Sequence, residues 1–203
     1  MTAKKQEVNG ERDVAFSFLR EFIRNAATTR LSSCVKDYQV EIREIGDDED
    51  FSYDHWIAAI VISATTIRVN FRVHFTTKAA REFVAMNQVL KNATDPNISH
   101  DFVREYCNLT AGAIKRGLDH VNSDGGGYIV NLPYQTPAFD NVTNLSKGVD
   151  RDLVKDCWAY RLNGQELICV TEIEVLDWRL IGGLTDVDMS SLIVTDDGLV
   201  EFL

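Results

Sequence analysis

Apolar residues recur at intervals of three and four in three parts of the chain. These parts are residues 10–29, Lys78–Leu90 and His100–Val121, and the spacing is typical of amphipathic helices. Ser99 stands directly before the third part, and serine is a favoured residue at the N-cap of a helix. We therefore predict three helices, the last of which begins after Ser99.

The remaining apolar segments are rich in β-branched and aromatic residues or alternate with polar ones, which favours β-strands. Strands are predicted over Tyr38–Ile45, in a hairpin over His55–Phe75 with a break at Ser63–Thr66, over Tyr128–Leu132 before Pro133, in a hairpin of Cys157–Leu162 and Glu166–Leu176, and over Leu192–Thr195. Asn163-Gly164 joins the second hairpin and is a strong two-residue turn signal. Polar or glycine-rich connections are predicted over residues 46–50, 122–127 and 134–150.

The predicted order is a helix, several strands, two helices and several more strands. Because strands joined by short turns pair antiparallel, this order favours an α+β fold with a largely antiparallel sheet and helices packed on one face. We predict one domain over residues 1–176. Residues 177–203 then form an acidic C-terminal extension of unknown role.

Composition narrows the range of partners. Of the 203 residues, 45% are hydrophobic and 26% are charged, as in ordinary globular proteins, and 31 acidic against 21 basic residues give a net charge of -10. This charge repels nucleic acids, and no cluster of basic and aromatic residues offsets it. The longest apolar run, Trp56–Ile62, is too short to cross a membrane. We therefore expect neither a nucleic-acid nor a membrane partner.

The cysteines and histidines do not have the spacing of a metal site. The cysteines are far apart in the sequence, and the histidines lack the short intervals that zinc ligands have. These residues are Cys34, Cys107, Cys157, Cys169, His55, His74, His100 and His120. Scattered cysteines are typical of free thiols in a reducing compartment, and no apolar signal segment follows Met1. A cytoplasmic location is therefore expected.

One side of the third predicted helix carries an unusual set of polar residues. Asp101, Glu105, Asn108 and Gly112 follow each other at intervals of four, three and four, so they line up on one side. The opposite side carries apolar residues that we expect in the core, namely Phe102, Tyr106, Leu109 and Ala113. A solvated polar face is the common explanation. Glycine in mid-helix, however, costs about 1 kcal/mol relative to alanine, which suggests that Gly112 leaves a bare surface for another backbone.

These residues resemble a known signature. Asp101, Glu105 and Asn108, followed by Pro133, are similar to the motif of the CheC/CheX/FliY chemotaxis phosphatases, and the string Asn108-Leu109-Thr110-Ala111-Gly112 is similar to the CheX branch. The single Glu-x2-Asn site also favours CheX, because the CheC branch typically carries two. The order of predicted elements over residues 10–176 agrees with this family. The interval from Asn108 to Pro133 is slightly longer than is usual there, and the glycine-rich turn absorbs the excess.

The resemblance implies an enzyme that dephosphorylates the aspartyl phosphate of a CheY-type response regulator. The partner is expected to hold the Mg²⁺ ion, so no cofactor is expected in this chain. A homodimer formed by pairing sheets is also implied, with Trp56–Ile62 as one contributor to its interface.

The same resemblance implies roles for the polar stripe. Asn108 is expected to orient the attacking water, and Glu105 to pair with a lysine of the receiver domain. Asp101 and Gly112 are expected to contact the partner, although stabilisation of the helix dipole explains Asp101 equally well. Two other functions stay open, a non-catalytic module that binds a receiver domain and a subunit of a larger assembly.

Overall fold

The computed structural model describes most of the predicted domain. The described residues are 2–35, 40–45, 56–92, 95, 97–121, 127–138 and 153–178, with backbone only at 2–11 and 120–121. The predicted acidic turn at 46–50, most of the glycine-rich turn at 122–127 and the predicted strand at 192–195 lie outside these residues. None of the described helices is both long enough and apolar enough to span a bilayer.

The described residues contain three helices, as predicted. They are α1 (Thr2–Cys34), α2 (Thr77–Ala85) and α3 (Ile98–Val121). Helix α1 extends beyond both ends of its predicted range. At its C-terminal end the apolar spacing continues beyond residue 29, and Leu31 and Cys34 are both buried. Tertiary packing of that extra turn therefore extends the helix.

Helix α2 ends earlier than predicted because of Asn87. Its side-chain Oδ1 accepts hydrogen bonds from the backbone N–H groups of Val89 and Leu90, each at 2.9 Å. These bonds satisfy backbone groups outside a helix, as asparagine side chains commonly do in turns. The Nδ2 group of Asn87 also donates to the carbonyl oxygen of Cys34 at 2.9 Å, so the turn after α2 is attached to the end of α1.

Helix α3 begins one residue before the predicted cap, so the assignment of Ser99 as N-cap was wrong. Ser99 lies inside the first turn and is buried. A tight turn starts the helix earlier, because Asp95 accepts the N–H of Asn97 through its side chain and the N–H of Ile98 through its carbonyl.

The strands in the described part of the chain form one antiparallel sheet of seven. They are β1 (Glu41–Glu44), β2 (Trp56–Ser63), β3 (Ile67–Phe75), β4 (Ile129–Val130), β5 (Tyr134–Pro137), β6 (Leu153–Leu162) and β7 (Gln165–Val175). Their order is β1-β6-β7-β3-β2-β4, and β5 also pairs with β2. This confirms the α+β fold with a largely antiparallel sheet. In the β6–β7 turn, Asn163 and Gly164 have φ angles of 49° and 74°, as a two-residue hairpin requires.

The predicted loop at 134–150 was wrong over its first residues, which form β5. Tyr134 to Pro137 pair with Ala59 to Trp56 of β2, and β4 pairs with the other end of the same strand. The sequence of β5 is polar, and only the long-range pairing with β2 makes it a strand. Residues 139–150 lie outside the described part.

The position of β2 also corrects the expectation for Trp56–Ile62. Strand β2 is paired with β3 on one side and with β4 and β5 on the other, and most of its side chains are buried. It therefore offers no open edge. The strands at the ends of the described sheet are β1 on one side and β4 with β5 on the other, and a homodimer through either edge remains a prediction.

The core lies between the helices and one face of the sheet. It contains the apolar sides of all three helices and the inward residues of β2, β3, β6 and β7. The largest fully buried side chains include Trp158, Tyr106, Tyr160 and Phe22. Trp178, three residues after the end of β7, packs against Phe16 of α1 with ring centroids 4.8 Å apart.

The opposite face of the sheet carries charged side chains between strands. Arg72 alternates with the core residues Phe71 and Val73, and its Nη2 lies 2.8 Å from Oε2 of Glu172 on β7. Both side chains of this pair are at least nine-tenths buried. Arg68 and Glu174 form a second pair at 3.1 Å, with Arg68 half-exposed. Paired opposite charges keep these polar groups compatible with a sheet interior.

His100 ties the first turn of α3 to its neighbours. Its Nε2 lies 2.9 Å from Oγ1 of Thr77 on α2, and its Nδ1 lies 2.7 Å from Nε2 of Gln135 on β5. The rings of Trp56 and Phe75 meet the imidazole edge-on at 5.1 and 5.2 Å. Burial lowers the pKa of His100 below its usual value, against the opposing influence of Asp101 and Gln135.

This environment predicts a pH-dependent stability. Because the folded pKa of His100 is lowered, the unfolded chain takes up its proton first, and stability falls as the pH drops from about 7.5 through about 6.5. Urea unfolding from pH 7.5 to 5.5 measures this slope. The variant His100→Phe keeps the aromatic packing but not the titration, so its slope should be shallower. An identical slope in both proteins would contradict the assignment to His100.

Candidate functional site

Helix α3 is held firmly by its apolar side. The hydroxyl of Tyr106 donates to the carbonyl oxygen of Ala27 on α1 at 3.2 Å, and the thiol of Cys107 lies 3.9 Å from the carbonyl oxygen of Ala58 on β2. Burial raises the pKa of the Cys107 thiol. The predicted core residues Phe102, Tyr106 and Ala113 are buried, and Leu109 is partly buried against the core.

The predicted stripe lies on the other side of α3. Asp101 and Asn108 are exposed, while Glu105 and Gly112 are half-buried. The helix therefore brings all four predicted site residues to its outer side, as the spacing indicates.

Glu105 and Asn108 are in contact. The Nδ2 group of Asn108 donates to Oε2 of Glu105 at 3.4 Å, a long hydrogen bond between neighbouring turns. This contact orients the carboxamide, so its oxygen Oδ1 is the group that points away from Glu105. No described residue donates to that oxygen, which leaves it available to accept a hydrogen bond from water.

The base of the site is formed by the end of α1. Burial raises the pKa of the Cys34 thiol to about 11, and the negative charge of nearby Glu105 raises it as well. Cys34 therefore stays protonated at neutral pH and does not supply a thiolate nucleophile. Asn87 donates to the carbonyl oxygen of Cys34, so the turn after α2 supports the end of α1 that lies near Glu105.

Asp101 forms an ion pair within α3. Its carboxylate binds the guanidinium of Arg104, three residues later, and both side chains are about half exposed. Asp101 also lies in the first turn of α3, where a negative charge interacts favourably with the helix dipole. Arg104 was missed from the sequence, although an acid and a base three residues apart on a helix are the signal for such a pair.

The surface at Gly112 is not bare, in contrast to the prediction. A guanidinium nitrogen, Nη1 of Arg116, lies 3.7 Å from where a Cβ atom at position 112 would stand. Side chains on a helix lean toward its N-terminus, so Arg116 lies over the residue four positions earlier. An alanine at 112 would make ordinary van der Waals contact with this side chain.

Pro133 lies where the outer edge of the sheet is interrupted. It is half-buried between β4 and β5, and the N–H of Asn131 donates to the carbonyl oxygen of Val61 at 3.1 Å just before it. Proline has no N–H for the strand ladder, so an interruption of the edge suits it. Helix α3 contacts β4, which places this edge beside the helix.

The described residues contain no group of three or more histidine, cysteine, aspartate or glutamate side chains that could hold a metal ion. The four cysteines are thiols that form no disulfide with one another, three of them buried and Cys157 half-buried. The site on α3 therefore consists of carboxylates, a carboxamide and guanidinium groups.

No protein-family model and no curated protein sequence matches this chain. Solved structures do match its fold. CheX from Vibrio vulnificus has a TM-score of 0.55 at 12% identity, covering 77% of this chain and 99% of that one. A CheC-like superfamily protein from Shewanella also has a TM-score of 0.55, at 9% identity, covering 77% of this chain and 97% of that one.

A third match comes from a complex. The structure of CheX with CheY, BeF₃ and Mg²⁺ from Borrelia burgdorferi matches with a TM-score of 0.53 at 13% identity, over 76% of this chain and 96% of that one. All three matches cover nearly the whole length of the solved chain. This protein therefore has the fold of the CheX and CheC-like chemotaxis proteins.

Proposed function

We propose that this chain is a cytoplasmic CheX-like phosphatase that removes the phosphoryl group from the aspartyl phosphate of a CheY-type response regulator. The proposal is carried by one observation, the contact between Glu105 and Asn108 on the outer side of a helix whose inner side is fixed in the core. Two independent findings support it. The residues match the motif of that family, and the fold is that of CheX proteins.

The reaction requires positioning more than covalent chemistry. Oxygen of a water molecule forms a bond to phosphorus, and the bond between phosphorus and the aspartyl oxygen breaks. The aspartate leaves as a carboxylate, and the proton lost by the water remains on inorganic phosphate or passes to solvent. Because the acyl phosphate is already activated, a group that holds water in line with the leaving oxygen supplies much of the acceleration.

Asn108 suits this role because its side chain is polar but neutral. Its carboxamide can accept a hydrogen bond from water through Oδ1, and it brings no negative charge that would repel the phosphoryl group. In the free protein its amide nitrogen binds Glu105, so the oxygen is already turned outward. A glutamine performs the comparable task in small GTPases.

Glu105 suits the role of a docking group. One of its oxygens, Oε2, receives the hydrogen bond from Asn108, and Oε1 remains for a cation on the partner. A carboxylate paired with a lysine of the receiver domain fixes where the helix sits. Since Glu105 and Asn108 are three residues apart on one rigid helix, placing the first also places the second.

The partner is expected to supply the metal ion of the complete site. The matching CheX structure was determined with CheY and Mg²⁺. By this likeness, the Mg²⁺ is expected on the regulator, where it neutralises charge on the phosphoryl group.

A non-catalytic module is the second candidate. It would use the same exposed side of α3 to bind a receiver domain and would retain Glu105 for docking. The two functions differ in turnover, so an assay of phosphate loss from a phosphorylated regulator separates them. Binding without acceleration would favour the module.

Asn108→Ala should abolish the stimulated dephosphorylation. We expect turnover to fall by roughly 10²-fold, the scale seen when one aligned polar group is removed from an active site. Asn108 is exposed, so the free energy of unfolding should change by less than about 0.5 kcal/mol. Phosphate release from a receiver domain loaded with a small phosphodonor measures the rate.

The control for this variant is Gln165→Ala, which removes a carboxamide from the β6–β7 hairpin instead of α3. It should leave turnover unchanged. Wild-type turnover in Asn108→Ala would contradict the role of Asn108.

Glu105→Gln should weaken binding more than turnover. The substitution keeps the size of the side chain and an oxygen for Asn108 but removes the charge. We expect the Kd for a regulator carrying a phosphoryl mimic to rise by about tenfold, a difference of about 1.4 kcal/mol. Titration with this regulator at low and high salt measures both the loss of affinity and its salt dependence. Glu41→Gln, on exposed strand β1, is the matched control. Equal affinities in the wild type, Glu105→Gln and Glu41→Gln would contradict the docking role of Glu105.

A further inference from the structure

The outer side of α3 carries three cations, and they differ in their partners. Arg104 is paired with Asp101, three residues earlier, and Lys115 is paired with Asp119, four residues later. Arg116 is exposed, and no carboxylate among the described residues pairs with it. The nearest acid on its own helix, Asp119, is already bound to Lys115.

The Arg116 side chain lies over the glycine four residues earlier. Its Nη1 is 3.7 Å from the position that a Cβ atom at residue 112 would have. The guanidinium therefore lies level with Gly112, about 6 Å along the helix axis from the Cα level of Asn108. The guanidinium of Arg116 is therefore closer to Asn108 than the separation of eight residues in the sequence suggests.

Arg116 and Glu105 lie on the same side of Asn108. At about 100° per residue, Glu105 is rotated by about 60° and Arg116 by about 80° from Asn108 in the same direction. Along the axis, the level of Glu105 and the level of Gly112 are about 10 Å apart. The carboxamide is therefore flanked by a negative charge toward the N-terminus of α3 and a positive charge toward its C-terminus.

We propose that Arg116 is a second docking residue, which pairs with a carboxylate of the regulator beside its phosphorylation site. This inference rests on the proposed function. A site that binds Mg²⁺ is built from carboxylates, so acidic groups are concentrated around the phosphorylated aspartate of such a partner. A guanidinium is well matched to a carboxylate because it can form two parallel hydrogen bonds.

The two charges together fix the direction of the helix in the complex. Glu105 alone fixes one point and leaves α3 free to bind in either direction about it. With a cation at the other end, reversed binding places like charges together, which is costly. Arg116 acts on the reaction through the placement of Asn108 and is a positioning residue.

Arg116→Ala tests this role in the full chain. We expect the Kd for a receiver domain loaded with beryllofluoride to rise about fivefold at low salt, with a weaker salt dependence, and turnover at saturating regulator to stay within about twofold. Arg116→Lys should restore part of the affinity, since it keeps the charge, and Arg116→Glu should lose more than the alanine variant. Arg20→Ala, an exposed arginine on α1, makes the same change in net charge and should bind like the wild type.

A double variant tests whether the two contacts are separate. If Glu105 and Arg116 bind different groups of the partner, the losses of affinity in Glu105→Gln and Arg116→Ala should multiply in the combined variant. Affinity and salt dependence equal to wild type in Arg116→Ala would overturn the inference. So would a fall in turnover with unchanged Kd, because that result would place Arg116 at the phosphoryl group.

The proposed function and this inference fail in different ways. If the wild-type chain neither binds nor dephosphorylates the regulator, the proposed function is wrong and the inference falls with it. If the wild type is active and Asn108→Ala is not, while Arg116→Ala is unaffected, only the docking role of Arg116 is wrong.

Discussion

The packing of α3 against the sheet and the other two helices is the constraint on which the site depends. Tyr106 and Cys107 point inward to Ala27 and Ala58, and the apolar residues on either side of them are buried. A helix held along its whole inner side has little freedom to rotate or slide, because protein interiors are densely packed. Its outer side chains therefore keep a fixed spacing, which the proposed role of Asn108 in holding a water molecule requires.

The charged side chains on the outer side of α3 form two groups, those paired within the helix and those that can bind a partner. Asp101 and Arg104 satisfy each other, whereas Glu105 keeps an oxygen free and Arg116 has no described carboxylate. Exposed pairs within a helix contribute only about 0.3–0.5 kcal/mol to its stability. Charges left unsatisfied by the helix itself are better suited to recognition, because they lose nothing internal when a partner arrives. In a chain with a net charge of -10, an unpaired cation near the proposed docking surface also limits repulsion from an acidic partner.

Local patterns in the sequence were enough to predict the helices, both long hairpins and the outward stripe of α3. The stripe follows from helix geometry alone, and Asn163-Gly164 specifies its turn by its own backbone preferences. Contacts between distant parts of the chain were not predictable in this way. Strand β5 exists because β2 is there to pair with it, and α2 stops where Asn87 reaches the end of α1. The roles expected for Glu105 and Asn108 came from the family resemblance, since a polar stripe by itself is equally typical of a solvated face.

The buried pair of Arg72 and Glu172 has a consequence for how the chain selects its alignment. A shift of β3 along β7 by two residues would return every apolar side chain to its own face, so hydrophobic alternation alone leaves several alignments nearly equivalent. The charges disfavour one of these alignments. A two-residue shift in the direction that places Arg72 opposite Ile168 would move its guanidinium about 7 Å farther along the strand from Glu172 and leave a desolvated cation without its partner. The ion pair thus excludes a misalignment that the hydrophobic residues alone do not distinguish from the native one.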